Sequence, residues 1–120
     1  MNKKTLVLGA SLKPVRYSNL AIKRLVEKGH DVVAIGGKKG EVAGVKITTE
    51  KPDLKGVDTV TLYVNPKRQT AYYDYILSLH PKRVIFNPGT ENLEFQKLLE
   101  ENAIETEIAC TLVLLSTGQY

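Results

Sequence analysis

Thr5-Leu6-Val7-Leu8-Gly9, then Ser18 ahead of Ala21, Ile22, Leu25 and Val26, then Gly29, then Asp31-Val32-Val33-Ala34-Ile35-Gly36-Gly37: this succession decides the fold. A short apolar run closed by glycine marks a strand buried on both faces. The four apolar residues that follow share one face of a helix, with Ser18 predicted as its N-cap and Gly29 as its stop. Asp31 to Ile35 is a second buried strand. The whole occupies about thirty residues, the usual size of a βαβ unit.

Working outward, Gly36 to Gly44 reads as a basic, glycine-rich loop and Val45 to Thr48 as a short third strand. The crossover from Thr49 to Gly56 contains Pro52 and is too short for a full helix, which predicts a turn or a 3₁₀ piece. Asp58 to Val64 is a strand rich in β-formers. Pro66 opens a helix with Tyr72, Tyr75, Ile76 and Leu79 on one face, ended by His80-Pro81. Arg83 to Phe86 is a strand, Asn92 to Asn102 a helix with Phe95, Leu98 and Leu99 inward, Glu105 to Ile108 a last strand, and Cys110 to Leu115 a closing helix. Alternating strands and helices predict an α/β fold. It is a Rossmann-like open parallel sheet of five or six strands with helices on both faces, built as one domain over residues 1–120.

Composition agrees. The chain has 120 residues, 42% hydrophobic and 25% charged, ordinary for a folded domain of this size. No apolar run approaches the ~20 residues of a membrane helix, and the N-terminus lacks the ~7–15 apolar residues of a secretory signal. A single cysteine, Cys110, cannot form an internal disulfide. A reducing, cytoplasmic setting is therefore expected.

Net charge is +4, from 17 basic and 13 acidic residues, and its placement is informative. In an open parallel sheet, ligands bind beyond the carboxyl ends of the strands. The loops expected there carry Lys13, Arg16, Lys38, Lys39, Lys67 and Arg68 against Glu41 and Glu91. Lys82-Arg83 falls on the opposite edge. Such a rim suits a polyanionic small molecule. Nucleic acid is disfavoured, because the cations cluster at loops rather than along a helix or an aromatic-studded sheet.

The loop after the first strand is the foremost candidate. Gly9 permits a sharp turn and close backbone approach, and the following helix start offers free N–H groups. Ser11 and Ser18 add hydroxyls. The dinucleotide fingerprint is incomplete, since Ser11 and Pro14 stand where its second and third glycines belong. The acidic residue that would hold the ribose of NAD is absent, and Ile35-Gly36-Gly37-Lys38-Lys39 occupies its place. Lysines there favour an additional ribose phosphate, as in coenzyme A (CoA) or NADP.

Val7-Leu8-Gly9-Ala10-Ser11, Pro14, Arg16-Tyr17-Ser18, Gly44-Val45-Lys46-Ile47, Leu62-Tyr63-Val64-Asn65, Pro88-Gly89 and Cys110 resemble, in order and spacing, the CoA-binding-protein family. Its members are small stand-alone relatives of the CoA-binding domain of the succinyl-CoA synthetase α subunit. The resemblance implies that Gly9, Ala10, Ser11, Arg16 and Ser18 hold the CoA phosphates. It places Gly36, Gly37 and Lys38 beside the adenosine and its 3′-phosphate. Val64, Asn65 and Pro66 would line the crevice, with Pro88 and Gly89 deeper along it. The chain departs from the family where the second strand ends, having Ala34-Ile35-Gly36-Gly37 instead of a proline-containing run. The synthetase's phosphohistidine region lies in another domain, so ligase activity does not carry over.

No catalytic residue is assigned. His30 and His80 fall at helix ends on the amino-edge side, and no metal-ligand cluster or Ser/His/Asp constellation is legible. Cys110, at the carboxyl edge, is either a thiol near the CoA sulfur or a small buried hydrophobe. Leu112 to Leu115 either bury against the sheet or form a seam with another copy or a partner subunit. The expectation is a CoA- or acyl-CoA-binding module without evident catalysis. An NADP-binding reductase-type domain and a ligand-free interaction or regulatory module are the alternatives.

Overall fold

The apolar run after Lys4 becomes the middle of the sheet. In the computed structural model, which describes residues 2–120, the chain runs β1 (Thr5–Ala10), α1 (Tyr17–Glu27), β2 (Val32–Gly36), β3 (Gly40–Val42) and β4 (Val45–Thr48). There follow β5 (Thr59–Leu62), α2 (Pro66–Gln69), a 3₁₀ turn (Thr70–Tyr72), α3 (Tyr73–Leu79), β6 (Arg83–Phe86), α4 (Leu93–Glu101), β7 (Glu105–Ile108) and α5 (Thr111–Ser116). One seven-stranded sheet results, in the order β3-β4-β2-β1-β5-β6-β7. All pairings are parallel except β3 with β4. The sheet thus exceeds the expected five or six strands. The glycine-rich segment read as a loop contains β3, which folds back on β4 through Ala43 and Gly44, both at positive φ.

Alternation along the strands sorts the core into two layers. Leu6, Leu8, Val60, Leu62, Val84 and Phe86 face α3 and α4, meeting Ile76, Phe95 and Leu99. Val7, Ala34 and Ile47 face the other side, packed with Ile22 and Leu25 of α1 and Leu115 of α5. Helices therefore cover both faces. Phe95 is held between Tyr73, stacked at 4.2 Å, and the edge of Phe86 at 6.0 Å.

Local expectations fail in four places, the first being the single helix expected from Pro66 to Leu79, which the 3₁₀ turn Thr70–Tyr72 divides. The N-cap of α1 is Arg16, not Ser18. A turn closed by the Arg16 N–H on the Lys13 carbonyl (3.0 Å) brings the chain into the helix earlier, leaving Ser18 buried within its first turn. Val26 is exposed rather than part of the apolar face. The Thr49–Gly56 crossover forms neither helix nor 3₁₀ turn.

Both histidines lie away from the carboxyl edge. His80 is the left-handed C-cap of α3. The Lys3 N–H donates to Nδ1 of His30 at 2.9 Å, and the His30 ring meets the edge of Tyr120 at 5.1 Å. Burial chiefly, then the positive charges of Lys3 and Arg83, hold the His30 pKa below its ordinary 6.5, against the pull of Asp58. A neutral imidazole is what the Lys3 contact requires. Because the folded pKa lies below the unfolded one, the unfolded chain takes up the proton first. The His30 contribution is complete above about pH 6.5 and is lost as pH falls through the folded value. Urea midpoints measured between pH 7 and pH 5 are expected to fall more steeply for the native protein than for His30→Gln; parallel curves would refute this.

Candidate functional site

At the carboxyl edge the end of β1 and the end of β5 come unusually close. Gly9 forms a bulge in β1 with φ +98°. A Cβ there would lie 2.8 Å from the carbonyl carbon of Tyr63 and 3.0 Å from a methyl of Val64. Gly36 is equally constrained, since a Cβ would lie 2.3 Å from the Ala10 carbonyl oxygen. These glycines are required by strand packing, and that packing sets the shape of the edge.

A cleft of about 500 Å³ opens above them, lined by Gly9, Ala10, Ser11, Lys13, Arg16, Tyr17, Ser18 and Gly37 on one side and by Tyr63, Val64, Arg68 and Pro88 on the other. The first loop is folded by its own hydrogen bonds. The Lys13 N–H donates to Ser11 Oγ (3.1 Å) and Asn19 Nδ2 donates to the Ser11 carbonyl (2.9 Å). With Arg16 giving no side-chain cap, no acceptor among the described residues meets the N–H groups of Tyr17, Ser18 and Asn19. Those donors open α1, where the helix dipole favours negative charge. Lys13, Arg16 and Arg68 stand around them, and no carboxylate among the described residues lines the cleft.

The sequence reading is gathered only in part. Gly9, Ala10, Ser11, Arg16, Ser18, Gly37, Val64 and Pro88 share the cleft, whereas Gly36, Lys38, Asn65, Pro66, Gly89 and Cys110 do not line it. Gly36 is closed off by Ala10. Lys38 projects into solvent beyond Gly37. Asn65 is turned to capping α2, its Oδ1 accepting from the Arg68 N–H at 2.9 Å, and Pro66 is the first residue of that helix. Gly89 points its N–H at the Glu91 carboxylate (2.8 Å). Cys110 is the half-buried N-cap residue of α5. Leu114 and Leu115 bury, while Val113 stays exposed.

What the sequence did not disclose is the frame beneath the cleft, built from neutral amide side chains. Asn87 Nδ2 donates to Thr61 Oγ1 (2.6 Å) and to the Leu62 carbonyl (2.9 Å), while its Oδ1 accepts from the Thr111 N–H (2.9 Å). One side chain thus ties β5, β6 and α5. Gln69 Nε2 donates to the carbonyls of Val64 (2.9 Å) and Thr90 (2.7 Å), joining the loops after β5 and β6. Gln69 Oε1 in turn accepts from Asn92 Nδ2 (2.9 Å). Tyr63 was missed as well. Its hydroxyl is buried beside the Thr61 and Thr111 hydroxyls, which bond each other at 2.8 Å, and among the described residues no atom meets it in good hydrogen-bond geometry. Burial pushes the Tyr63 pKa up to about 12, so it remains a phenol at neutral pH. A second hollow of about 560 Å³ lies between the flanks of α1 and α5 and shares no lining residue with the cleft.

Residues 3–116 match a protein family described as a CoA binding domain. The chain belongs to this family. A crystal structure of an uncharacterized protein is 57% identical to this CoA-binding-domain chain, covering 100% of it and 99% of the relative at a TM-score of 0.97. A hypothetical protein from Pyrococcus horikoshii OT3 is 31% identical over 96% of this chain and 82% of its own, with a TM-score of 0.86. A Thermus thermophilus structure shares the fold at 24% identity and a TM-score of 0.85, covering 98% of this chain and 90% of its own. Comparison with curated proteins yields no match. No helix of the described residues is long and apolar enough to cross a membrane.

Proposed function

We propose that this chain is a self-contained cytoplasmic module that binds coenzyme A, free or acylated, and acts as a carrier, sensor or regulatory subunit without chemistry of its own. The observation that supports this most is the group of unpaired N–H donors at the start of α1. They face a cleft lined by Lys13, Arg16 and Arg68 and, among the described residues, by no acidic one. A diphosphate stripped of water needs such donors and such charge. The residues present fit it, since Ser11 and Ser18 add hydroxyls and the bulge at Gly9 keeps side chains away from the floor. Val64 and Pro88 add apolar surface to the cleft, as a pantetheine arm requires. A concave site of this size suits a small molecule better than a nucleic acid strand.

Titration calorimetry with CoA, 3′-dephospho-CoA, NADP and NAD tests the reading. CoA is expected to bind best. Arg16→Ala and Arg68→Ala are each expected to weaken it by about tenfold or more, the scale of one lost charge-assisted hydrogen bond. Equal affinity for CoA and its dephospho form would remove the role assigned to Lys38. Selective binding of NADP would favour the reductase-type alternative, and no nucleotide binding at all would sink the proposal.

A further inference from the structure

One side of the cleft comes from two separate loops. Tyr63, Val64 and Arg68 belong to the segment after β5 and the one-turn helix α2, and Pro88 to the loop after β6. Asn87 to Thr90 form a tight turn, closed by the Thr90 N–H on the Asn87 carbonyl (2.9 Å), with Gly89 at φ +90°. Proline followed by a glycine at positive φ is the pattern of a type II turn. Beyond the last pair of β5 and β6, Leu62 with Phe86, no main-chain hydrogen bond among the described residues joins residues 63–69 to residues 87–90. Gln69 supplies a link. Its side chain is fully buried, and its amide hydrogens are divided between the loops, one on the Val64 carbonyl (2.9 Å) and one on the Thr90 carbonyl (2.7 Å). Asn92, itself bonded to the Tyr73 hydroxyl at 2.8 Å, donates to the Gln69 oxygen at 2.9 Å and so fixes which way that amide faces.

Arg68 lies inside the loop that this amide closes. Its N–H is held by the Asn65 carbonyl and side chain, at 3.0 and 2.9 Å, and the Gln69 N–H by the same carbonyl at 3.1 Å. The guanidinium is uncommitted. Arg24 and Arg83 pair with Glu27 and Glu107, whereas Arg68 meets no carboxylate among the described residues. We infer that Gln69 is a positioning residue for the ligand, presetting the spacing of Val64 from Pro88 and the point from which Arg68 reaches an anionic group. The inference rests on the proposed binding of CoA at this cleft. A one-turn helix is too short to hold its place unaided, and ordering it when the ligand arrives would subtract from affinity. Gln69 removes that cost in advance. An apolar residue of the same length would fill the space but leave two carbonyls unpaired and the loops free to part.

A double-mutant cycle, read by calorimetry with CoA, tests this. Gln69→Met keeps the length and loses the hydrogen bonds. It is expected to weaken CoA about tenfold in protein that circular dichroism shows to be folded. Adding Arg68→Ala to Gln69→Met is expected to cost little more, because a guanidinium already displaced has little left to lose. Arg16→Ala, on the other side of the cleft, is expected to cost its full factor in either background. Gln69→Glu serves if Gln69→Met does not fold. Protonated, it keeps one donor and the acceptor that Asn92 uses, so its deficit against the native protein is expected to shrink as pH falls from 7 to 5. Native affinity in folded Gln69→Met, losses that multiply for Gln69 and Arg68 as they do for Gln69 and Arg16, or a Gln69→Glu deficit indifferent to pH would each overturn the assignment while CoA binding stands. Native protein that takes up no CoA removes the underlying reading instead.

Discussion

Alanine at Gly9 is expected to cost about 3 kcal/mol or more of folding stability, combining strain at positive φ with overpacking. The backbone there has φ +98°, and the added Cβ would come within 2.8–3.0 Å of the Tyr63 main chain and Val64. Neither neighbour can yield cheaply. Tyr63 is tied to β1 by its N–H on the Leu8 carbonyl (2.8 Å), and Val64 is 4% exposed. A loss of this size is a large share of the ~5–15 kcal/mol that holds a domain together. Gly37→Ala is the control, because nothing lies within 4 Å of its added Cβ. Urea denaturation of the two variants should give midpoints far apart. Matching midpoints would mean that β1 and β5 separate easily and that the floor of the cleft is soft.

Leucine at Asn87 keeps the size of the side chain and discards its hydrogen bonds. It would leave the Thr111 N–H and the Leu62 carbonyl without the partners they now have at 2.9 Å. Each buried group so orphaned costs ~1–3 kcal/mol, so a total of about 2–6 kcal/mol is expected on folding. The site should suffer in parallel. Asn87 precedes Pro88 and anchors the first N–H of α5, so ligand affinity should fall even where the variant remains folded. Thermal unfolding with and without CoA separates the two effects. A variant with native stability and native ligand response would show that the amide is dispensable.

These two positions also mark how far the sequence could be read. Val45–Thr48, Arg83–Phe86 and Glu105–Ile108 fall where expected because a strand inside a parallel sheet needs a run of β-formers between breakers, and that is a local property. Asn65 and Asn92 begin helices for equally local reasons. In sequence Gly9 points to close approach of a phosphate, yet its more pressing constraint is the backbone of Tyr63, a partner distant in sequence. Asn87 and Gln69 gave no signal at all. Their partners are chiefly main-chain atoms of other loops, and an amide bonded to a carbonyl leaves no mark in composition or spacing. The three-residue strand β3 was hidden by its brevity and its glycines. The cations and the helix start of the cleft announce themselves in sequence, whereas the frame that holds them does so only in three dimensions.

The last strand, β7, leaves a row of main-chain groups facing outward, with no strand of the described residues beyond it. Such a rim invites a foreign strand to add on. Here Glu105 and Glu107 occupy it, one of them steadied by the Arg83 guanidinium at 3.1 Å. Two copies approaching rim to rim would set like charges against each other, and the four-residue strand gives them little length over which to recover the loss. At the opposite margin, β3 offers only three residues. Edge-to-edge growth of the sheet is therefore disfavoured at both margins.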